Sequence, residues 1–233
     1  MNFLSHFYFN RFTSDAQLVA GSVLPDLVRI ADPSLKIHPE NHAAELFIRA
    51  GVPGLYTGWK QHLQVDRIFH SSTFFRTYSN RLRALLKPVL SDTPAKPFFV
   101  AHISLELLID HLLIIQDKIS VDLFYAHLNN TGTENLANFL NTAGASGTAA
   151  TARFLNFYQS FCRNAYLYKY REIPGIAYAV AQICRGLWPD GGPDKQHEQY
   201  MCTVFEQVLP EIRPVYEHLF EEIQYSLDNL RNE

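Results

Sequence analysis

Two rows of side chains in this sequence have the types and spacing to do chemistry. His62, Asp66 and His70 stand at i, i+4 and i+8 in HLQVDRIFH, and His102, Glu106 and Asp110 repeat that spacing in HISLELLID, with His111 beside the second row. Residues four apart drift only about 40° around a helix, so each row forms one polar stripe. Two helices that turn such stripes toward each other can converge on a divalent cation, whose charge compensates the carboxylates. Nitrogen and oxygen donors without thiolate suit Mn²⁺, Fe²⁺, Zn²⁺ or Mg²⁺, and donor type alone does not choose among them. Each row also has an ordinary reading. The first could be an exposed polar face, and the second an internal ion-pair network. His38, His42, His127, His197 and His218 read as capped or solvated residues.

The elements that must position these rows read as helices. Apolar residues recur at three- and four-residue spacing, and sustained period-two alternation is missing, so the expected fold class is all-α. The segment 98–115 is apolar on nearly every face, which by length suggests a membrane span. Its row of ionisable groups argues instead for the central helix of a soluble core with no membrane span, because such groups cost several kcal/mol each when buried unpaired. The pattern predicts helices over about 15–30, 40–49, 55–70, 73–87 (closed by Pro88), 98–116, 120–129, 133–142, 149–169 and 173–187. A GASGT linker covers 144–148, and the loop WPDGGPD at 188–194 is the clearest break. The stretch 196–229 contains Pro210 and Pro214 and is expected to be two helices or one kinked helix.

Composition bounds the class. With 233 residues, 47% hydrophobic and only 18% charged, the chain is expected to fold as one domain with a substantial core. A net charge of −3 supplies no general attraction to phosphate backbones, so no nucleic-acid partner is expected. Cys162, Cys184 and Cys202 form no C-x-x-C pair, which suits a reducing, cytoplasmic compartment. The opening MNFLSHFYFNRF has no basic n-region and an interrupted apolar run, so it does not read as a secretory signal.

MNFLSH at 1–6, AGSVLPDLVR at 20–29, HLQVD at 62–66 and LELLIDHLL at 105–113 together resemble the acyl carrier protein phosphodiesterase family. The likeness continues through NAYLYKYREIPGIAYAVAQICRGL at 164–187, with additions expected near 30–55 and 88–98. The resemblance implies an HD-domain-like helical bundle, a single domain over 1–233 with a helical C-terminal extension at 196–233. It also implies a hydrolase that removes the 4′-phosphopantetheine arm from holo acyl carrier protein, using Mn²⁺ or a similar ion. His6 matches the family's opening His, Asp26 its early Asp, His62 and Asp66 its His-x-x-x-Asp, and Asp110-His111 its Asp-His. Where the family usually has Thr-Asp after His-x-x-x-Asp, this chain has Phe69-His70, and His102 stands where the family has no known ligand.

On this basis Asp26, His62, Asp66, Glu106 and Asp110 form the expected metal-ligand pool, with His102 a local addition. Such an ion would activate water and polarise a phosphoryl oxygen. His6, His70 or His111 is then the expected proton donor to the leaving alkoxide. Arg29 and Arg67 are the candidate phosphate-binding residues. Acyl carrier proteins are acidic, and Arg76, Arg81, Arg83 and Lys87, in a stretch without acidic residues, are the expected docking surface; Arg163, Lys169 and Arg171 form a second basic cluster. Two alternatives stay open: hydrolysis of another phosphoester, nucleotide or phospholipid, and a non-catalytic helical binding protein with a polar core.

Overall fold

A computed structural model describes residues 1–48, 51–145 and 148–231. Arg49, at the end of one expected helix, and Ser146 and Gly147, inside the expected linker, lie outside the described residues. Among the described residues there are twelve α-helices, two 3-10 turns and no strand, so the fold is all-α. The helices are α1 (Phe3–Tyr8), α2 (Ala16–Ala31), α3 (Ala43–Ile48), α4 (Pro53–Ser71), α5 (Thr73–Val89) and α6 (Pro97–Ile115), followed by α7 (Val121–Thr131), α8 (Thr133–Thr142), α9 (Thr148–Asn164), α10 (Ile173–Leu187), α11 (Lys195–Ile212) and α12 (Tyr216–Arg231).

The chain divides into two compact units. The first comprises Met1–Ser5, Val65–Lys118 and Leu167–Glu233, and the second His6–Gln64 and Ile119–Tyr166. Helix α4 contributes to both, so the row His62, Asp66, His70 is split between them, with His62 in the second unit.

In the first unit α6 is the central element, packed against α5 and α10, and α11 packs in turn on α5 and α10. Helix α6 is long and apolar enough to cross a membrane, and about two-thirds of its most apolar stretch is buried within the protein. The segment after 195, expected as an extension, contributes to this unit's core: Phe205, Val208 and Ile212 on α11 are fully buried. Pro214 separates α11 from α12, whereas Pro88 and Pro210 are accommodated in the last turns of α5 and α11. The Tyr216 hydroxyl donates to Gln116 Oε1 at 2.7 Å and ties α12 to the end of α6. The helix expected over 149–169 stops at Asn164, because Ala165 takes a φ of 45° and the chain continues as a 3-10 turn, Tyr166–Arg171.

In the second unit Asp15 caps α2 by accepting from the backbone N–H of Gln17 and Leu18. Helix α2 lies against α7 and α9, and α8 packs on α9. The crossing of α2 with the first turns of α4 depends on glycine. A Cβ on Gly21 would stand 2.3 Å from the Leu55 carbonyl oxygen, and one on Gly58 would stand 2.4 Å from that of Leu18. This close approach lets His62 reach α2.

Candidate metal centre

Within the first unit the end of α4 and the middle of α6 face each other, and parts of the two polar rows meet. His70 Nε2 lies 3.0 Å from His102 Nε2 and 3.4 Å from Glu106 Oε1. His102 Nε2 lies 2.9 Å from that same carboxylate oxygen. One ligand atom from each of these three residues falls within 4.8 Å of the other two. His70 and His102 are partly exposed and Glu106 sits beneath them, so the cluster lies at the edge of the core with one side open.

The ring of His70 is set by its backbone. Its Nδ1 is 2.8 Å from the carbonyl oxygen of Asp66, one turn earlier on α4. A carbonyl only accepts, so Nδ1 carries a proton and Nε2 is the nitrogen turned toward the cluster. Phe75 on α5 stands edge-on to both imidazoles, with ring centroids 4.9 Å from His70 and 5.0 Å from His102. The Ser72 hydroxyl caps α5 by accepting from the Phe75 N–H, which holds that ring in position.

Electrostatics separates two carboxylates on α6. Burial disfavours ionisation of Glu106, but the Met1 ammonium 3.2 Å away and the bonds with His102 and His70 outweigh it and hold the carboxyl far below its ordinary range. The same ammonium bonds Asp66 Oδ1 at 2.6 Å. Asp110 is pushed by burial up to about 7, against the pull of donors from Ser5, Leu4 and Asn2. Its Oδ1 accepts from the Ser5 N–H at 2.8 Å and the Ser5 hydroxyl at 2.5 Å, and its Oδ2 from the Asn2 side chain at 2.8 Å and the Leu4 N–H at 3.1 Å.

These positions redistribute the expected roles. Asp110, expected as a ligand, has both oxygens filled by four donors and anchors the N-terminal segment; a cation there would have to displace them. His70, expected as a proton donor, aims Nε2 into the cluster as a ligand would. His111, the other candidate donor on α6, lies about 140° around the helix from Glu106. Its Nδ1 donates to the Tyr170 carbonyl at 2.8 Å, and burial lowers its pKa. Arg67 is exposed on α4. Among the docking residues, Arg81 is engaged by Glu211 on α11 through three contacts of 2.9–3.3 Å, which makes it a tether within the unit. Arg76, Arg83 and Lys87 are exposed and fall within about 40° of one another around α5.

The second unit gathers other expected residues. His62 is buried, its Nδ1 donates to the Ser22 carbonyl at 2.9 Å, and its Nε2 lies 3.9 Å from Asp26 Oδ1. His6 stacks on the His62 ring with centroids 3.9 Å apart. Arg29 is exposed in the last turn of α2.

Sequence reasoning missed the Met1 ammonium, Phe75 and the Asn2–Ser5 donors. His197, expected as a capped or solvated residue, completes the capping box of α11 with Asp194 at 2.6 Å and also reaches Asp92 at 2.9 Å. Two imidazoles and an ionised carboxylate form a donor set that fits a first-row divalent ion. Comparison with protein-family models, curated proteins and solved structures finds no match for the chain.

Proposed function

We propose that this protein is a divalent-metal-dependent phosphodiesterase, with the phosphopantetheinylated form of acyl carrier protein as its substrate. The observation that carries the reading is the meeting of His70, His102 and Glu106 from two helices around one open-sided point. These three residues would hold the ion. When bound, it lowers the pKa of a coordinated water and polarises a phosphoryl oxygen. The chain's own groups supply the rest. Glu106 stays ionised at neutral pH because the ammonium and the imidazoles favour its charged form. Asp66 holds the ammonium against the same cluster. The exposed row Arg76, Arg83 and Lys87 begins four residues beyond Phe75's cap at Ser72 and offers positive charge to an acidic carrier.

The test is to incubate protein and Mn²⁺ or Zn²⁺ with holo carrier protein and follow the carrier's mass. Loss of the phosphopantetheine arm supports the proposal, and an unchanged mass with either ion counts against that substrate. Cleavage of a generic phosphodiester with the carrier left intact would keep the hydrolase and change its target.

A second reading rests on a specific observation: the Met1 ammonium already neutralises part of the acidic charge at Asp66 and Glu106. That arrangement suits a retained ion-pair network in a non-catalytic binding protein. Protein purified without chelators that holds no metal, and whose thermal stability ignores added Mn²⁺ and Zn²⁺, would favour it.

A further inference from the structure

We infer that the ion is held by two imidazoles and one carboxylate, His70, His102 and Glu106, in a site that selects Zn²⁺ or Co²⁺ over Mn²⁺ and Mg²⁺. The inference rests on the metal-dependent reading above and names the ion class, which that reading leaves open.

Three independent features lead there. The first is spacing. A tetrahedral ion with bonds of about 2.0–2.1 Å holds neighbouring ligands about 3.3 Å apart, and an octahedral one about 2.9 Å apart. The three separations are 2.9, 3.0 and 3.4 Å, so the donor atoms already stand at the edges of one coordination face. The second is orientation. An imidazole that ligates a metal normally donates its other N–H to a carbonyl or carboxylate, which fixes the tautomer and raises ligand basicity. His70 does this through the Asp66 carbonyl, and Phe75 confines both rings from one side. The third is donor chemistry. Two imidazole nitrogens and a carboxylate oxygen meet at one point, where His102 Nε2 faces both His70 Nε2 and Glu106 Oε1, and the Met1 ammonium shares that oxygen at 3.2 Å. A divalent cation can take all three donors at once.

The selectivity follows from the donors. Mn²⁺ and Mg²⁺ favour oxygen-rich, six-coordinate surroundings, whereas imidazole nitrogen suits Zn²⁺ and Co²⁺. Asp110, the carboxylate that would add oxygen character from α6, is filled by its own donors. His70 and His102 are partly exposed to solvent, which could supply the fourth, water ligand of a three-ligand catalytic zinc site.

The experiment strips the full-length protein with chelator and titrates it with Co²⁺, reading the visible d–d absorption and then its loss as Zn²⁺ displaces Co²⁺. One ion per chain is expected, with a spectrum of low coordination number. His102→Ala should weaken Zn²⁺ binding by at least about 100-fold, beyond the 10–100-fold that loss of an orienting partner costs. His70→Asp should keep a site but lower the ratio of Zn²⁺ to Mn²⁺ affinity. X-ray absorption at the zinc edge of the wild-type protein needs no variant and should show two imidazoles. A spectrum without imidazole scattering, or Co²⁺ absorption unchanged in both His70→Ala and His102→Ala, overturns the inference. If Zn²⁺ binds through both imidazoles but no phosphodiester is cleaved, the hydrolase reading fails and the ligand set stands. If Mn²⁺ drives cleavage at the wild-type rate in His102→Ala, the ligand set fails and the hydrolase reading stands.

Discussion

Glu106 and Asp110 lie one turn apart on α6, and their carboxyls move in opposite directions from their ordinary values. Both lose solvation. Glu106, at the edge of the core, is answered by an ammonium and two imidazoles and stays ionised. Asp110, fully buried, is answered by neutral amide and hydroxyl donors and rises to about 7. The partners, more than the depth, decide what each carboxylate can do. One answered by an ammonium and imidazoles stays an anion. One filled by four fixed donors is a structural anchor.

The largest expected effect that would break this comparison is on stability. Asp110→Ala strands the buried Leu4 and Ser5 N–H groups and should cost about 3–5 kcal/mol in urea unfolding. A loss below about 1 kcal/mol would remove its standing as the anchor. Glu106→Gln should cost less, about 1–2 kcal/mol, because its site borders water and the amide can still accept a bond. Unlike the wild type, it should show no rise in melting temperature on adding Zn²⁺.

Acidification should sharpen the contrast. A carboxyl raised to about 7 in the folded state binds a proton that the unfolded chain does not bind between about pH 4 and 7. Asp110 therefore adds stability as pH falls through that window, and Asp110→Asn should remove this slope from the unfolding midpoints. Glu106 has the opposite sign: its contribution is present above the ordinary carboxylate range and is lost only as pH falls below it.

The smallest expected effect concerns His197, held between Asp92 and Asp194. Partial burial lowers its pKa, but the bonds to the two carboxylates outweigh this and raise it above 6.5. Its contribution is full below pH 6.5 and fades as pH rises through the raised value. His197→Gln should shift the unfolding midpoint slightly at pH 6 and not at pH 9. A shift that persists at pH 9 would mean that packing, not charge, is responsible.

Much of the fold was legible in the chain. The apolar spacing placed α5 and α6 to within two residues at each end, and Pro214 marks the division of the last helical stretch. The end of α9 was not legible, because nothing in Asn164-Ala165 signals the positive φ that starts the 3-10 turn; contacts made by Leu167 and Tyr170 in the core support it. For the site, four-residue spacing alone placed His102 and Glu106 on one stripe and Asp66 and His70 on another.

What the sequence determined by itself is therefore periodic: which residues share a helix face, and that the molecule is all-α. It could not say which donor would meet which acceptor, because hydrogen bonds and ion pairs act over about 3 Å between residues far apart in the chain. Only the tertiary structure decided that Asp110 meets Asn2, Leu4 and Ser5, that Arg81 meets Glu211, and that His70 and His102 share Glu106.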